Sequence, residues 1–463
     1  MITYAALSPH PPLIIPEIGQ RRLQEVQPTV EGMRRLAQEL AATAPETVIF
    51  LTPHGNVFAD ALSSLGQPQL RGDLTAFGAR QEWTASNDLA LLQEIATQSA
   101  QSNLPFIILD KDTARQHRLN SDLDHGILVP FHYLQEAGLT DVKIIAISIA
   151  YLSTLELYQF GHIVKQAADK VGRKVAILAS GDMSHRLKSE GPYEYHPDGP
   201  SFDKAVRELL AAGDTEGILG LPESLCNNAG ECGYRSIVIM LGALDGLNYE
   251  PTIFSYEGPF GVGYLTAGLR PGSPGESLLK QLQADRLQEQ DRLRQQESPP
   301  VKWARMVIES YVRNGSRPAL PDELEDLRRE TAGTFVSLKK HGQLRGCIGT
   351  ISPAYGSLAE EIAGNAVSAA SRDPRFLPVE AHELSDLVYS VDVLGKAEPA
   401  SRDQLDPQKY GVIVTKGSRR GLLLPDLEGV DTVEEQLRIA CQKAGIRPDE
   451  DYKIERFEVI RYN

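Results

Sequence analysis

Three histidines in this sequence share one local setting. His10 follows an apolar run in LSPHPP, His54 follows another in LTPHGN, and His185 follows a third in LASGDMSHRL. Each run reads as a short buried strand, and each histidine comes after a Pro or Gly turn. In open α/β sheets ligands bind in the crevice beyond the carboxyl ends of the strands, so these positions would deliver three imidazoles to one rim. A fourth, His125 in LNSDLDHGILVPFHYL, stands beside Asp122 and Asp124. One histidine after a strand is ordinarily a loop residue making one hydrogen bond; three in equivalent places form a constellation. Two histidines on a divalent metal are commonly completed by a carboxylate, an arrangement that leaves positions open on non-haem Fe(II). The candidate lies in NNAGECGYRSIVIMLGAL (227–244), where Glu231 and Cys232 stand side by side at a helix start. Neighbours on a helix point about 100° apart, so one of the two would face the metal. The structural alternatives are a first-turn acid complementing the helix dipole for Glu231 and a small buried residue for Cys232. Ser180, Asp182, Ser184 and His185 also crowd together, but triad members are rarely sequence neighbours, and serine hydrolysis is not expected.

The elements that must position these groups alternate. MITYAAL (1–7), TVIFLT (47–52), FIILD (106–110), KIIAIS (143–148) and KVAILAS (174–180) read as strands, with helices over 21–43, 87–101, 155–170 and 203–212 and a closing strand at 262–269. That order predicts an α/β/α domain over 1–270 with a mostly parallel or mixed central sheet. The segment 271–300, Pro-Gly at one end, Pro-Pro at the other and rich in Gln, Glu, Arg and Leu between, reads as a helical linker. Residues 301–463 predict a smaller α+β domain: two strands over 335–350 joined at His341-Gly342, a helix at 358–371, strands at 386–395, 410–417 and 420–426, an amphipathic helix at 432–445 and one last strand at 452–462.

The chain has 463 residues with 47 Lys+Arg against 62 Asp+Glu, a net charge of −15, which argues against a nucleic-acid partner. No apolar run approaches the ~20 residues of a membrane span. The proline-interrupted first twenty residues lack Lys and Arg and read as neither signal nor transit peptide, so a cytoplasmic protein is expected. The four cysteines (226, 232, 347, 441) form no CxxC pair. There is no nucleophile elbow, HExxH, P-loop or dinucleotide fingerprint.

In this order and spacing, SPHPP, TPHG, LDHGILVPFHYL, SGDMSH and GECGYRS resemble the LigB-like class III extradiol dioxygenases and the related Memo-like proteins, over roughly 1–270. The resemblance implies a metal-dependent oxidoreductase: His10 and His54 as metal ligands, His125 and His185 binding substrate or moving protons. The third ligand would be Glu231 on the dioxygenase pattern or Cys232 on the Memo-like Cys-Gly-x-x pattern. It implies Fe(II), with Zn or Cu as alternatives because imidazole suits all three. It also implies a catecholic or vicinal-diol-like substrate with O₂, His185 as general base and then acid, His125 as donor, and Asp122 or Asp124 fixing the tautomer of His125.

LRGCIGT (344–350) and SRDPRFLPVEAHELSDLVYSVDVL (371–394) resemble the AMMECR family over roughly 300–463. There Cys347 reads either as a thiolate beside Arg345 or as a packed strand cysteine. Arg372, Asp373, Arg375 and Phe376 read either as lining a binding cleft with Arg345 or as a salt-bridged loop. Together the two halves resemble a fusion of two components of the AmmeMemoRadiSam system. The absence of a CxxxCxxC motif implies that a radical-SAM partner would be a separate protein.

Overall fold

A computed structural model describes residues 1–463 apart from 341, 428, 448 and 449, and the backbone alone of 382. It divides into two compact units, Met1–Arg286 and Leu287–Asn463. The expected turn at His341-Gly342 falls partly on residue 341 and so lies outside the described residues.

The strands of the first unit are β1 (Ile2–Ser8), β2 (Thr47–Thr52), β3 (Leu62–Leu65), β4 (Gln69–Asp73), β5 (Glu82–Ser86), β6 (Phe106–Leu109), β7 (Lys143–Ser148), β8 (Val175–Ser180), β9 (Leu247–Glu257) and β10 (Tyr264–Pro274). Eight form one mixed sheet in the order β6-β3-β7-β2-β8-β1-β10-β9, and β4 pairs with β5 apart from it. Four central strands are mutually parallel: β7 with β2, β2 with β8, β8 with β1. Successive side chains point to opposite faces of a strand, and here they feed two cores. Leu7, Ile49, Leu51, Ile145, Ile147 and Ile177 face the helices Leu89–Gln101, Thr154–Val171 and Tyr234–Gly242. Tyr4, Val48, Phe50, Ile144 and Leu178 face Gln27–Ala42 and His125–Glu136. That two-sided burial is why these strands read as unbroken apolar runs.

Four strands escape the sequence reading. β3 is four residues long with two serines at its centre, and β9 carries Pro251. β4 and β5 alternate exposed and buried residues but are only five residues each. Residues 271–274, expected as the Pro-Gly opening of the linker, continue β10: beyond Leu269 it pairs with β9 and not with β1. One free edge tolerates Pro271 and Pro274, since proline lacks the N–H a second ladder would need. The helix Leu278–Gln296 follows, and its start is tied to the first unit by buried Asp245, which accepts from Ser277 Oγ and the Leu279 N–H.

In the second unit two four-stranded sheets are present among the described residues. One is ordered β12 (Gln343–Gly349), β11 (Thr334–Lys340), β13 (Leu387–Leu394), β18 (Val459–Tyr462); the other is β14 (Glu398–Pro399), β17 (Lys453–Phe457), β15 (Gly411–Lys416), β16 (Arg419–Leu423). The single last strand expected over 452–462 is thus two, β17 and β18, joined through Glu458 and serving different sheets. Helices Pro299–Asn314 and Leu358–Ser371 share a core with the first sheet, and Val433–Ala444 shares one with the second.

Candidate metal centre

The side-by-side parallel strands β2, β8 and β1 end together, with Ser8 paired to Ser180. The next residues carry the chemistry: His10 after β1, His54 after β2, Asp182 and His185 after β8. His125 opens the helix His125–Glu136 on the same rim, its ring centroid 5.4 Å from that of His10 and 4.2 Å from that of His54. Cys232 is brought in by two facing glycines. A Cβ on Gly181 would lie 2.1 Å from Gly233 Cα, so only glycine lets these loops touch. Their contact sets the Cys232 Sγ 3.2 Å from the donating Asp182 N–H and 3.7 Å from His10 Nε2.

Nε2 of His10 and Nε2 of His54 are 2.9 Å apart. With Cys232 Sγ they form a group of three ligand atoms within 4.8 Å of one another that could hold a metal ion. The separations of His10 Nε2 from the other two donors suit one ion: bonds of about 2.0–2.1 Å to nitrogen and 2.3 Å to sulfur put such donors roughly 3–3.7 Å apart. The hydrogen bonds behind His10 prepare it. Its Nδ1 lies 2.9 Å from Ser180 Oγ, and that hydroxyl donates to the Gly126 carbonyl. With its one proton committed, Ser180 must accept from Nδ1–H, which leaves the His10 Nε2 lone pair facing the cluster.

Burial dominates the electrostatics. It holds His10 and His54 below the usual imidazole range, reinforced at His10 by His54 and His185, so both are neutral at pH 7. Burial, with His10 and His54 adding to it, brings His125 down to about 3. His185 is likewise held low by burial, with Asp182 opposing. Its Nε2 is buried without a hydrogen-bond partner, an acceptor or donor aimed at nothing else in the described protein. Burial pushes the Cys232 thiol well above its ordinary value and Asp182 up to about 6. Asp182 Oδ1 accepts the His10 N–H, and Oδ2 stands 4.0 Å from His10 Nε2.

Several expected groups sit elsewhere. Glu231 does not join the cluster: its carboxylate turns back to accept the Tyr234 N–H at 2.6 Å, capping the helix Tyr234–Gly242. Asp122 pairs with Arg71 at the surface, and Asp124 accepts from the Gly126 N–H and Thr52 Oγ1 as a helix cap, so neither holds the His125 ring. Ser180 and Asp182 were visible only as part of a polar run; their roles arise because β8 lies beside β1.

In the second unit Arg345 is saturated. Its Nε and Nη2 grip Glu383 at 2.9 Å each, and it also donates to the Leu377 and Pro378 carbonyls. Cys347 is a strand residue whose sulfur accepts from Ser337 Oγ, while its backbone is held by Asp373 and Arg375. Arg372 ends the helix Leu358–Ser371 and is exposed. The Arg345, Asp373 and Arg375 contacts are those of a salt-bridged loop.

A family model described as the catalytic LigB subunit of aromatic ring-opening dioxygenase matches residues 4–267, and the AMMECR1 model matches 301–462. The chain is 41% identical over 465 residues to the protein CA_C1420 of Clostridium acetobutylicum, covering 98% of each. It is 59% identical over 172 residues to a protein of Thermotoga maritima, 36% of this chain and 98% of that one. Among solved structures, PH0010 from Pyrococcus horikoshii is 35% identical over 35% of this chain and 88% of its own, with a TM-score of 0.33. No helix among the described residues is long and apolar enough to cross a membrane.

Proposed function

Because the chain belongs to the LigB family through residues 4–267 and carries an AMMECR1 domain over 301–462, we propose that its first unit is a metal-dependent oxidoreductase of the extradiol type. His10, His54 and Cys232 would hold the ion, Fe(II) in this reading. The observation that carries it is the convergence of four histidines and Asp182 on one rim of the sheet, three of the histidines and Asp182 following adjacent strands and His125 opening a helix beside them. When bound, the metal would supply Lewis acidity to a hydroxyl of a catecholic or diol-like substrate and electrons to O₂. The chain's own groups do the rest. His185 is neutral at pH 7 with a buried, unpartnered Nε2, which suits it to take a substrate proton and return it. His125 stays neutral across the physiological range and offers one N–H donor beside His10 and His54. Asp182 orients His10 through its backbone.

Cys232 favours a second reading. A thiolate in place of a carboxylate as the third ligand makes a softer donor set, as in a Memo-like module whose metal serves a step with a separate radical-SAM protein and cleaves no ring. Protein purified without oxygen and reconstituted with Fe(II) separates the two. Catechol-dependent O₂ uptake, lost in His185→Ala with iron retained, supports ring cleavage. Stoichiometric iron with no uptake across a catechol series supports the second reading. Loss of iron in Glu231→Gln but not in Cys232→Ala would overturn the assigned ligand set.

A further inference from the structure

Proton transfer at His185 requires its ring to hold one orientation, yet hydrogen bonds fix only the backbone there. The Ser184 N–H donates to buried Asp203 at 2.7 Å, and the Ser184 hydroxyl donates to the Ala229 carbonyl at 2.9 Å. The His185 N–H reaches that same carbonyl at 3.3 Å. The ring has no such anchor. Neither of its nitrogens makes a hydrogen bond among the described residues, and Asp182, engaged with the His10 N–H, acts on it only through space. A general base is ordinarily oriented by a group bonded to its other ring nitrogen, as Ser180 serves His10. His185 has an aromatic plane instead. The Tyr193 ring lies 5.5 Å from it and is inclined by 18°, within the range of offset stacking. Tyr193 is 54% exposed, so burial does not hold it in place. The ends of its segment do. Upstream, the Leu187 N–H donates to the Gly261 carbonyl at 3.1 Å and Lys188 Nζ to the Pro259 carbonyl at 2.9 Å. Gly191 packs so closely on Gly261 that a Cβ on Gly261 would lie 2.8 Å from the Gly191 Cα. Downstream, the His196 N–H donates to the Arg186 carbonyl at 3.2 Å. Between these ties residues 192–195 are exposed, and among the described residues their N–H groups find no backbone acceptor. A short exposed segment tied at both ends and unbonded between them can lift and return as a unit.

We infer that Tyr193 is the positioning residue of His185: its ring face, delivered by residues 192–195, sets the plane of the imidazole and with it the direction of the buried Nε2. This rests on the extradiol-type reading for the proton transfer, but not for the ring contact. The test compares wild type with Tyr193→Ala, which removes the ring face, and Tyr193→Phe, which keeps it, in the full-length, Fe(II)-loaded protein. Carbethoxylation by diethyl pyrocarbonate without oxygen, followed peptide by peptide in a mass spectrometer, reads the imidazole itself. His185 should react about 2- to 10-fold faster in Tyr193→Ala, the range that one aromatic pair is worth. Exposed His117 serves as the internal reference and should not change. With catechol, kcat for O₂ uptake should fall by the same factor at unchanged KM and full iron content, and Tyr193→Phe should restore both readouts. If the wild type takes up no O₂ across a catechol series, the extradiol reading falls and the labelling alone decides the inference. Equal labelling of His185 in wild type and Tyr193→Ala overturns it, and so does a Tyr193→Phe protein that behaves like Tyr193→Ala. Faster labelling with an unchanged kcat also overturns it, because Tyr193 would then cover the ring without orienting it.

Discussion

Ser180→Ala isolates the hydrogen-bond relay that prepares His10. In the native protein the His10 Nδ1–H donates to Ser180 Oγ at 2.9 Å, and Ser180 donates on to the Gly126 carbonyl. His10 and Ser180 are both buried, so water cannot replace the lost hydroxyl. Without it the proton can shift to Nε2, where the His54 nitrogen 2.9 Å away accepts it, and the tautomer that leaves Nε2 free is no longer enforced. The metal must then reverse that shift and leave Nδ1–H unpaired, at a cost of about 1–3 kcal/mol. At ~1.4 kcal/mol per decade this is roughly a 10- to 100-fold loss of metal affinity, the range typical of groups that orient a ligating histidine. Competition with a calibrated chelator, using Zn(II) as a redox-silent probe on the full-length protein, measures it directly. Circular dichroism confirms that the variant is folded. A folded Ser180→Ala protein with affinity within twofold of wild type would refute the relay and the tautomer it assigns.

Metal uptake should release close to one proton at neutral pH. Burial keeps the Cys232 thiol protonated far above its ordinary range while His10 and His54 are already neutral. Apparent affinity should therefore rise about tenfold per pH unit from pH 7 to 8.5, and a flat profile would count against the thiolate. Gly181→Ala puts a methyl 2.1 Å from Gly233 Cα, a backbone clash that should separate the Cys232 loop from His10 and cost about 1–3 kcal/mol. Its metal-to-protein ratio should fall with its melting temperature, and full occupancy would show that the glycine contact does not set the site. Arg345→Ala breaks a largely buried pair with Glu383 and should destabilise the second unit by about 3 kcal/mol in denaturant unfolding. Arg372→Ala, at an exposed helix end, should change stability by less than ~0.5 kcal/mol, and equal effects would contradict the clamp.

How much was legible follows from how local each cause is. TVIFLT and KIIAIS are strands over the residues that sequence reading assigns, because runs of six and five buried residues between turn signals leave little else to form. The placement of His10, His54 and His185 after strands is equally local, and so their arrival at one rim could be expected once the strands were parallel. The choice between Glu231 and Cys232 could not be read. Both occupy one turn, and what separates them is Gly181 meeting Gly233 and Tyr234 offering its N–H to the carboxylate. Ser180 acquires its role from a strand partner some 170 residues away, and Asp124 loses its expected one to Gly126 and Thr52. The break at Glu458 depends on which two sheets receive the flanking strands. By itself the sequence determined the elements and the residue types delivered to their ends, since periodicity and turn chemistry act over a few residues. The tertiary structure alone decided which atoms of those residues meet, because strand order, glycine-to-glycine approach and buried hydrogen bonds join positions the chain holds far apart.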